Sequence, residues 1–315
     1  KKDTPQIPQK EGKMIKNKAL TFTVTVYAVT ALYSLLYLKF PLAGPDKIVP
    51  GIITSLYMFI PLVCAAALSK LVYREGFRES VSLKFKWSPW YFLALLMPVA
   101  NAFLSFGAAL LMPGVSLAPD MSGMLSKFMT MLTPEQYDMA VKQSLEMKEM
   151  FKTDYYYLIV GAFSAIVAGA TINAVFGFGE EAGWRGFLFN SLKGLGFYRA
   201  SLLIGVIWGI WHLPVIIQGH NYGEHRIAGI FMMTAWTVLL TPVFNYAVLR
   251  TGSVLAAAIM HGVLNASPGI ALAYIKGGNE LTVGITGAAG FISLLVINTA
   301  IYIYERYIAR EKVIF

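Results

Sequence analysis

Eight apolar runs, each long enough to cross a lipid bilayer, constrain this chain more than any other feature. They extend from about Ala19 to Leu42, Gly51 to Val72, Tyr91 to Met112, Tyr155 to Phe178, Phe197 to Ile217, Ile227 to Leu249, Gly252 to Ile275 and Val283 to Tyr304. A helix rises 1.5 Å per residue and satisfies its own backbone polar groups, so about 20 apolar residues span the roughly 30 Å of hydrocarbon. Only 14% of the 315 residues are charged and 57% are hydrophobic, against about 25% charged in soluble domains. The expected fold is therefore all-α, a polytopic transmembrane helix bundle of about eight spans.

The domain plan follows from the runs. Residues 1–18 form a polar, basic N-terminal segment, 19–112 hold three spans, 113–154 form an amphipathic non-cytoplasmic loop, and 155–315 hold five spans. The N-terminal segment has no small-residue cleavage site, so the first run is expected to stay as a helix rather than leave as a signal peptide. Within the long loop, Thr133-Pro134-Glu135-Gln136 has the residues of a helix start with a capping box. This loop is read as a solvated or interfacial connector, with a cap over a substrate access route as the sharper alternative.

The net charge of +9 comes without a basic stripe interleaved with aromatics, so no nucleic-acid partner is expected. The basic residues sit between the runs and report topology. One set of alternate loops, together with both termini, holds the N-terminal lysines, Arg74, Arg78, Lys84, Lys86, Arg185, Lys193, Arg199, Arg250, Arg306, Arg310 and Lys312. That set is placed in the cytoplasm, which makes the chain a multi-pass cell-membrane protein with both termini cytoplasmic. The single cysteine, Cys64, lies in an apolar run and is read as a packing residue.

Ionisable residues inside spans cost about 2.5–3.5 kcal/mol each on insertion scales, so each one needs a reason. All five aspartates fall outside the spans or at their margins. The embedded acids reduce to Glu180 and Glu181, read as lying at the cytoplasmic end of the fourth span. Arg185 is one turn beyond Glu181 and suited to pair with it, leaving Glu180 free. His212 and His261 are also embedded, and Asn265 shares a helix face with His261. Each of these alone has a structural explanation: interfacial solvation for the acids, helix packing for the imidazoles and the amide. Together they supply a general base and oxyanion donors, the parts needed for hydrolysis. His220 and His225, in a short polar loop, are read as surface residues. The chain has no pair of facing intramembrane aspartates, no Gly-x-Ser-Gly segment and no His-Glu-x-x-His, so aspartyl, rhomboid-like and zincin chemistries are not indicated.

Glu180-Glu181-x-x-x-Arg185, an aromatic one turn before a histidine (Trp208 and His212), and His261-x-x-x-Asn265, in this order on three spans, resemble the three motifs of the CAAX protease and bacteriocin-processing family of intramembrane endopeptidases. The resemblance covers about Tyr155 to Asn265; Trp208 stands where that pattern often has Phe. It implies that Glu180 activates water, His212 helps hold that water, and His261 and Asn265 stabilise the oxyanion. Glu181 and Arg185 would be a supporting pair that aims Glu180. It also implies a peptide or lipidated protein substrate, such as a CAAX tail or a small leader peptide, reached through a cytoplasm-facing cavity. A metal-independent mechanism is favoured, with zinc held by Glu180, His212 and His261 as the alternative. A non-enzymatic scaffold or immunity protein on the same fold, and a proton-coupled carrier, are the competing classes.

One difficulty is visible at this stage. His212 lies about 22 Å along its helix from Phe197, at 1.5 Å per residue, whereas Glu180 is placed at a span end. A kink at Gly209 or Pro214 is the expected remedy.

Overall fold

The computed structural model describes residues 9–42, 48–124 and 133–315. Residues 1–8 of the polar basic segment lie outside the described residues, as does the middle of the long loop. Among the described residues seven helices are long and apolar enough to cross a membrane: α1 Lys18–Lys39, α2 Ile48–Tyr73, α3 Tyr91–Ala109, α7 Phe197–Ile217, α8 Arg226–Thr251, α9 Val254–Leu272 and α10 Ala288–Ile308. Between α3 and α7 come the amphipathic α4, Pro134–Phe151, and a broken pair, α5 Tyr156–Ala170 and α6 Ile172–Leu195, which meet at 58°. Counted as one span, the pair makes eight, in the all-α architecture expected from the apolar runs. Strand structure among the described residues is a two-residue antiparallel bridge, Ser116–Leu117 (β1) with Ile275–Lys276 (β2).

The break at Thr171 corrects the fourth predicted span. The apolar run predicts one helix ending near Phe178, but the chain bends at Thr171, whose φ and ψ of −113° and −96° leave the helical region. The Thr171 hydroxyl donates back to the Val167 carbonyl, a bond of the kind that bends helices. Beyond the bend α6 runs on to Leu195 and carries Glu180 and Glu181 in its interior rather than at a span end. A turn of π-helix, Ala182–Leu188, follows them directly; π-turns of this kind recur at functional sites.

Glycines let the helices that carry the polar groups approach to backbone contact. A Cβ at Gly262 of α9 would lie 2.2 Å from the Gly169 carbonyl oxygen and 2.6 Å from the Ala174 nitrogen, so α9 nests in the bend between α5 and α6. Likewise a Cβ at Gly209 of α7 would meet Thr234 Cα of α8 at 2.5 Å. Small residues at such contacts allow van der Waals packing where lipid removes the usual hydrophobic drive between helices. Leu20, Ile159, Phe163 and Phe231 are exposed on the outside of the bundle, as residues facing lipid would be, while Phe22, Trp184, Phe187, Trp208 and Trp211 fill its interior.

Hydrogen bonds knit the two ends of the bundle separately. At one end Lys18 pairs with Glu75, Asn190 donates to the Ser80 carbonyl, Ser253 donates to the Lys84 carbonyl, and Arg250 reaches Glu305 and the Glu311 carbonyl. This is the basic end. At the other end the β1–β2 bridge joins the loop after α3 to the segment after α9, the Tyr222 hydroxyl donates to the Thr286 carbonyl, and Glu280 accepts from the Glu224 backbone. Helix α4 also belongs to this end: its capping box forms in full, and its Ser144 accepts from the Tyr156 hydroxyl.

Candidate active site

Glu180 and Glu181 are adjacent on a helix and therefore point about 100° apart, and the bundle uses them differently. Glu181 is fully buried. Its Oε1 accepts from Arg185 Nη1 at 3.1 Å and lies 2.7 Å from His261 Nδ1. The guanidinium is itself buried, donates to Thr241 Oγ1 at 3.1 Å, and lies over the rings of Trp208 and Phe244 at 4.0 and 4.7 Å. An ion pair withdrawn from water depends on such extra partners. The Glu181–Arg185 pairing matches the sequence reading, but Glu181 is committed to His261 as well, a link between α6 and α9 that spacing along one helix cannot reveal.

Glu180 is not free. Trp208 Nε1 donates to its Oε2 at 2.8 Å. Its other oxygen, Oε1, lies 3.9 Å from His261 Nε2. Trp208 is thus more than an aromatic spacer, since its indole N–H anchors one carboxylate oxygen and leaves the second directed at the imidazole. Phe cannot make this bond, so Trp where the pattern often has Phe was the available signal.

The imidazoles are each oriented by one nitrogen. His261 Nδ1 is engaged with the Glu181 carboxylate, which turns Nε2 toward Glu180. His212 Nδ1 lies 2.8 Å from the Trp208 carbonyl one turn back; since a carbonyl only accepts, Nδ1 carries a proton and Nε2 is the acceptor. The difficulty over depth is resolved at α6. From the turn at Gly196 the chain travels equally many residues back to Glu180 as forward to His212. Helix α7 also breaks at His212, just ahead of Pro214.

Glu180, Trp208, His212, His261 and Asn265 all line one cavity of about 490 Å³. Asn265 is exposed to it, one turn beyond His261. The cavity reaches Glu280, Thr286 and the exposed His220 and Asn221 at its mouth, all in loops of the end opposite the basic one. The expected cytoplasm-facing cavity and the expected cytoplasmic placement of the basic loops therefore cannot both hold. The sequence reading placed Glu180 at the basic end of its span, and the extension of α6 removes the reason for doing so. His220 is exposed as expected yet forms part of this mouth. No described residue of the 113–154 segment lines the cavity.

The three residues considered for zinc do not place three ligand atoms within 4.8 Å of one another; among the described residues Glu224, His225 and Glu280, at the mouth, do so. One oxygen of Glu180 is also occupied by the indole. As placed, the residues do not fit a three-ligand metal site.

A bundle of membrane-spanning helices with acids, imidazoles and an amide gathered round an internal cavity defines an integral membrane protein with an intramembrane polar site. Residues 160–267, which include Glu180, Glu181, Arg185, His212, His261 and Asn265, match the family of type II CAAX prenyl endopeptidases, Rce1-like. CAAX prenyl protease 2 of Methanococcus maripaludis is 27% identical over 146 residues, covering 42% of this chain and 48% of the relative. The chain therefore spans about half the length of the curated relative it matches. Over the matched region it is similar to the CAAX protease and bacteriocin-processing family.

Proposed function

We propose that the chain is an intramembrane endopeptidase that hydrolyses a peptide bond near the membrane surface by glutamate-activated water. The observation that carries this reading is the placement of Glu180 Oε1 3.9 Å from His261 Nε2, on a cavity that His212 and Asn265 also line. Glu180 takes a proton from water, and the hydroxide adds to the scissile carbonyl carbon. His212 Nε2 accepts a hydrogen bond from that water and holds it. The tetrahedral oxyanion is stabilised by Asn265 and by His261 as an imidazolium whose charge Glu181 balances. Glu180 then delivers its proton to the nitrogen as the C–N bond breaks, which leaves a carboxylic acid and an amine; the amine takes up the acid's proton on release. Loss of one oxyanion donor costs about 2.7–4 kcal/mol, and a general base is worth about 10²–10⁴ in rate.

The substrate class is a CAAX-type tail or a small leader peptide, and the mechanism proposed is metal-independent. The basic loops support a multi-pass cell-membrane protein with both chain ends in the cytoplasm. The test is incubation of purified wild-type and Glu180→Gln protein with a prenylated CAAX peptide and a small peptide library, read by mass spectrometry with and without chelator. Cleavage by the wild type alone is expected, unchanged by chelator. Equal cleavage by Glu180→Gln would overturn the assignment of the base. Loss on chelation with recovery in zinc would overturn metal independence. A scaffold would show cleavage in neither protein.

A further inference from the structure

The two ends of the bundle differ in charge as well as in structure, and the cavity belongs to one of them only. The end with the chain termini carries Lys18, Arg74, Arg78, Lys84, Lys86, Lys193, Arg199, Arg250, Arg306, Arg310 and Lys312, most within a few residues of a span. Near the spans at the other end the described basic residues are Lys39, Lys142, Lys148, Lys152, Arg226 and Lys276, accompanied by Asp120, Glu146, Glu149, Asp154, Glu224 and Glu280, while the acids of the basic end are Glu75, Glu79, Glu305 and Glu311. Lys and Arg beside spans are retained on the cytoplasmic side, whereas acidic residues contribute little to orientation. The cavity has its mouth at the second end. Its floor at Glu180 and His261 is closed from the basic end by Arg185, Trp184, Phe187 and Leu188, every one of them fully buried.

We infer that the site opens to the non-cytoplasmic face, so that its substrate is a peptide segment presented at the outer surface of the membrane rather than a cytosolic tail. This inference rests on the endopeptidase reading for the word substrate, but the direction of opening does not. Of the two substrate classes above, it selects the leader-type or secreted peptide over a CAAX tail carried by a cytosolic protein. Such a peptide meets the mouth at His220, Asn221 and Glu280 and reaches Asn265 before Glu180. The loops that frame the mouth are pinned to each other by the Tyr222–Thr286 and Glu224–Glu280 bonds, so the opening is built into the fold.

The test separates direction from chemistry. Glu224→Cys at the mouth and Arg78→Cys at the basic end place exposed thiols at opposite ends, and the wild type, whose only cysteine is buried, is the control. Intact cells are treated with a membrane-impermeant maleimide before and after permeabilisation. The mouth thiol is expected to react in intact cells and the Arg78→Cys thiol only after permeabilisation; protection of the mouth thiol in intact cells overturns the inference. In parallel, a charged, impermeant leader-type peptide and a farnesylated CAAX peptide with a charged tail are added outside sealed right-side-out vesicles holding wild-type or Glu180→Gln protein. Cleavage of the leader-type peptide from outside by the wild type alone is expected. Cleavage only after permeabilisation would overturn the direction and keep the endopeptidase. Outside labelling with no cleavage from either face would keep the direction and remove the endopeptidase.

Discussion

At the scale of single residues, the two neighbouring glutamates show how identical side chains acquire different work. Glu181 spends one oxygen on Arg185 and His261 together, and so joins two helices. Glu180 is held by one indole N–H and keeps an oxygen facing the cavity. Trp208 deserves its own test, because Trp208→Phe deletes the N–H while retaining a ring to stack on Arg185. A hydrogen bond to a charged group is worth about 1.5–3 kcal/mol, so kcat should fall roughly tenfold to a hundredfold. KM should stay near the wild-type value, since the indole does not line the path by way of its N–H. A kinetic comparison with equal kcat for the two proteins would show that the bond does not position the carboxylate.

At the scale of elements, the contact between α9 and the α5–α6 bend decides whether His261 reaches the acids. Gly262 follows His261 directly and lies against the backbone of residues 169–174, where a methyl group has no room. Gly262→Ala should lower the melting temperature in detergent and reduce cleavage, because overpacking costs about 1–3 kcal/mol and α9 carries His261 with it as it moves away. Gly107→Ala is the matched control, as a Cβ there meets nothing within 4 Å. Equal thermal shifts in the two variants would show that the close approach is not what limits the packing. The same contact explains why the bend matters: a straight α5–α6 would leave no recess for the α9 backbone.

At the scale of the whole molecule, loops far apart in the chain meet round the mouth and are joined through Glu280. Burial raises its carboxyl, but its own backbone N–H, those of Glu224 and His225 and the His225 ring outweigh that and hold it below the ordinary 4.5. A carboxyl depressed on folding contributes stability that is present above its unfolded value and lost as pH falls through the folded one. The amides of Glu224 and His225 should therefore lose protection from hydrogen exchange, after correction for intrinsic rates, as pH falls below the ordinary carboxylate value. Glu280→Gln should remove that dependence. Protection that is unchanged down to pH 3 in the wild type would show that the carboxylate does not lock the loops.

What could be read from the chain alone was whatever depends on local order: apolar length gave the spans, the capping box at Thr133 gave the start of α4, and three short motifs gave the polar residues that meet in the cavity. These follow from hydropathy and helical spacing, which need no knowledge of neighbours. The bend at Thr171 was not legible, because an apolar run looks the same whether its helix is straight or broken. For that reason the depth of Glu180 was misplaced, and with it the end of the bundle to which the cavity opens. The Trp208–Glu180 and Glu181–His261 bonds were equally hidden, since each joins residues on separate helices, and only packing decides which faces of those helices come together.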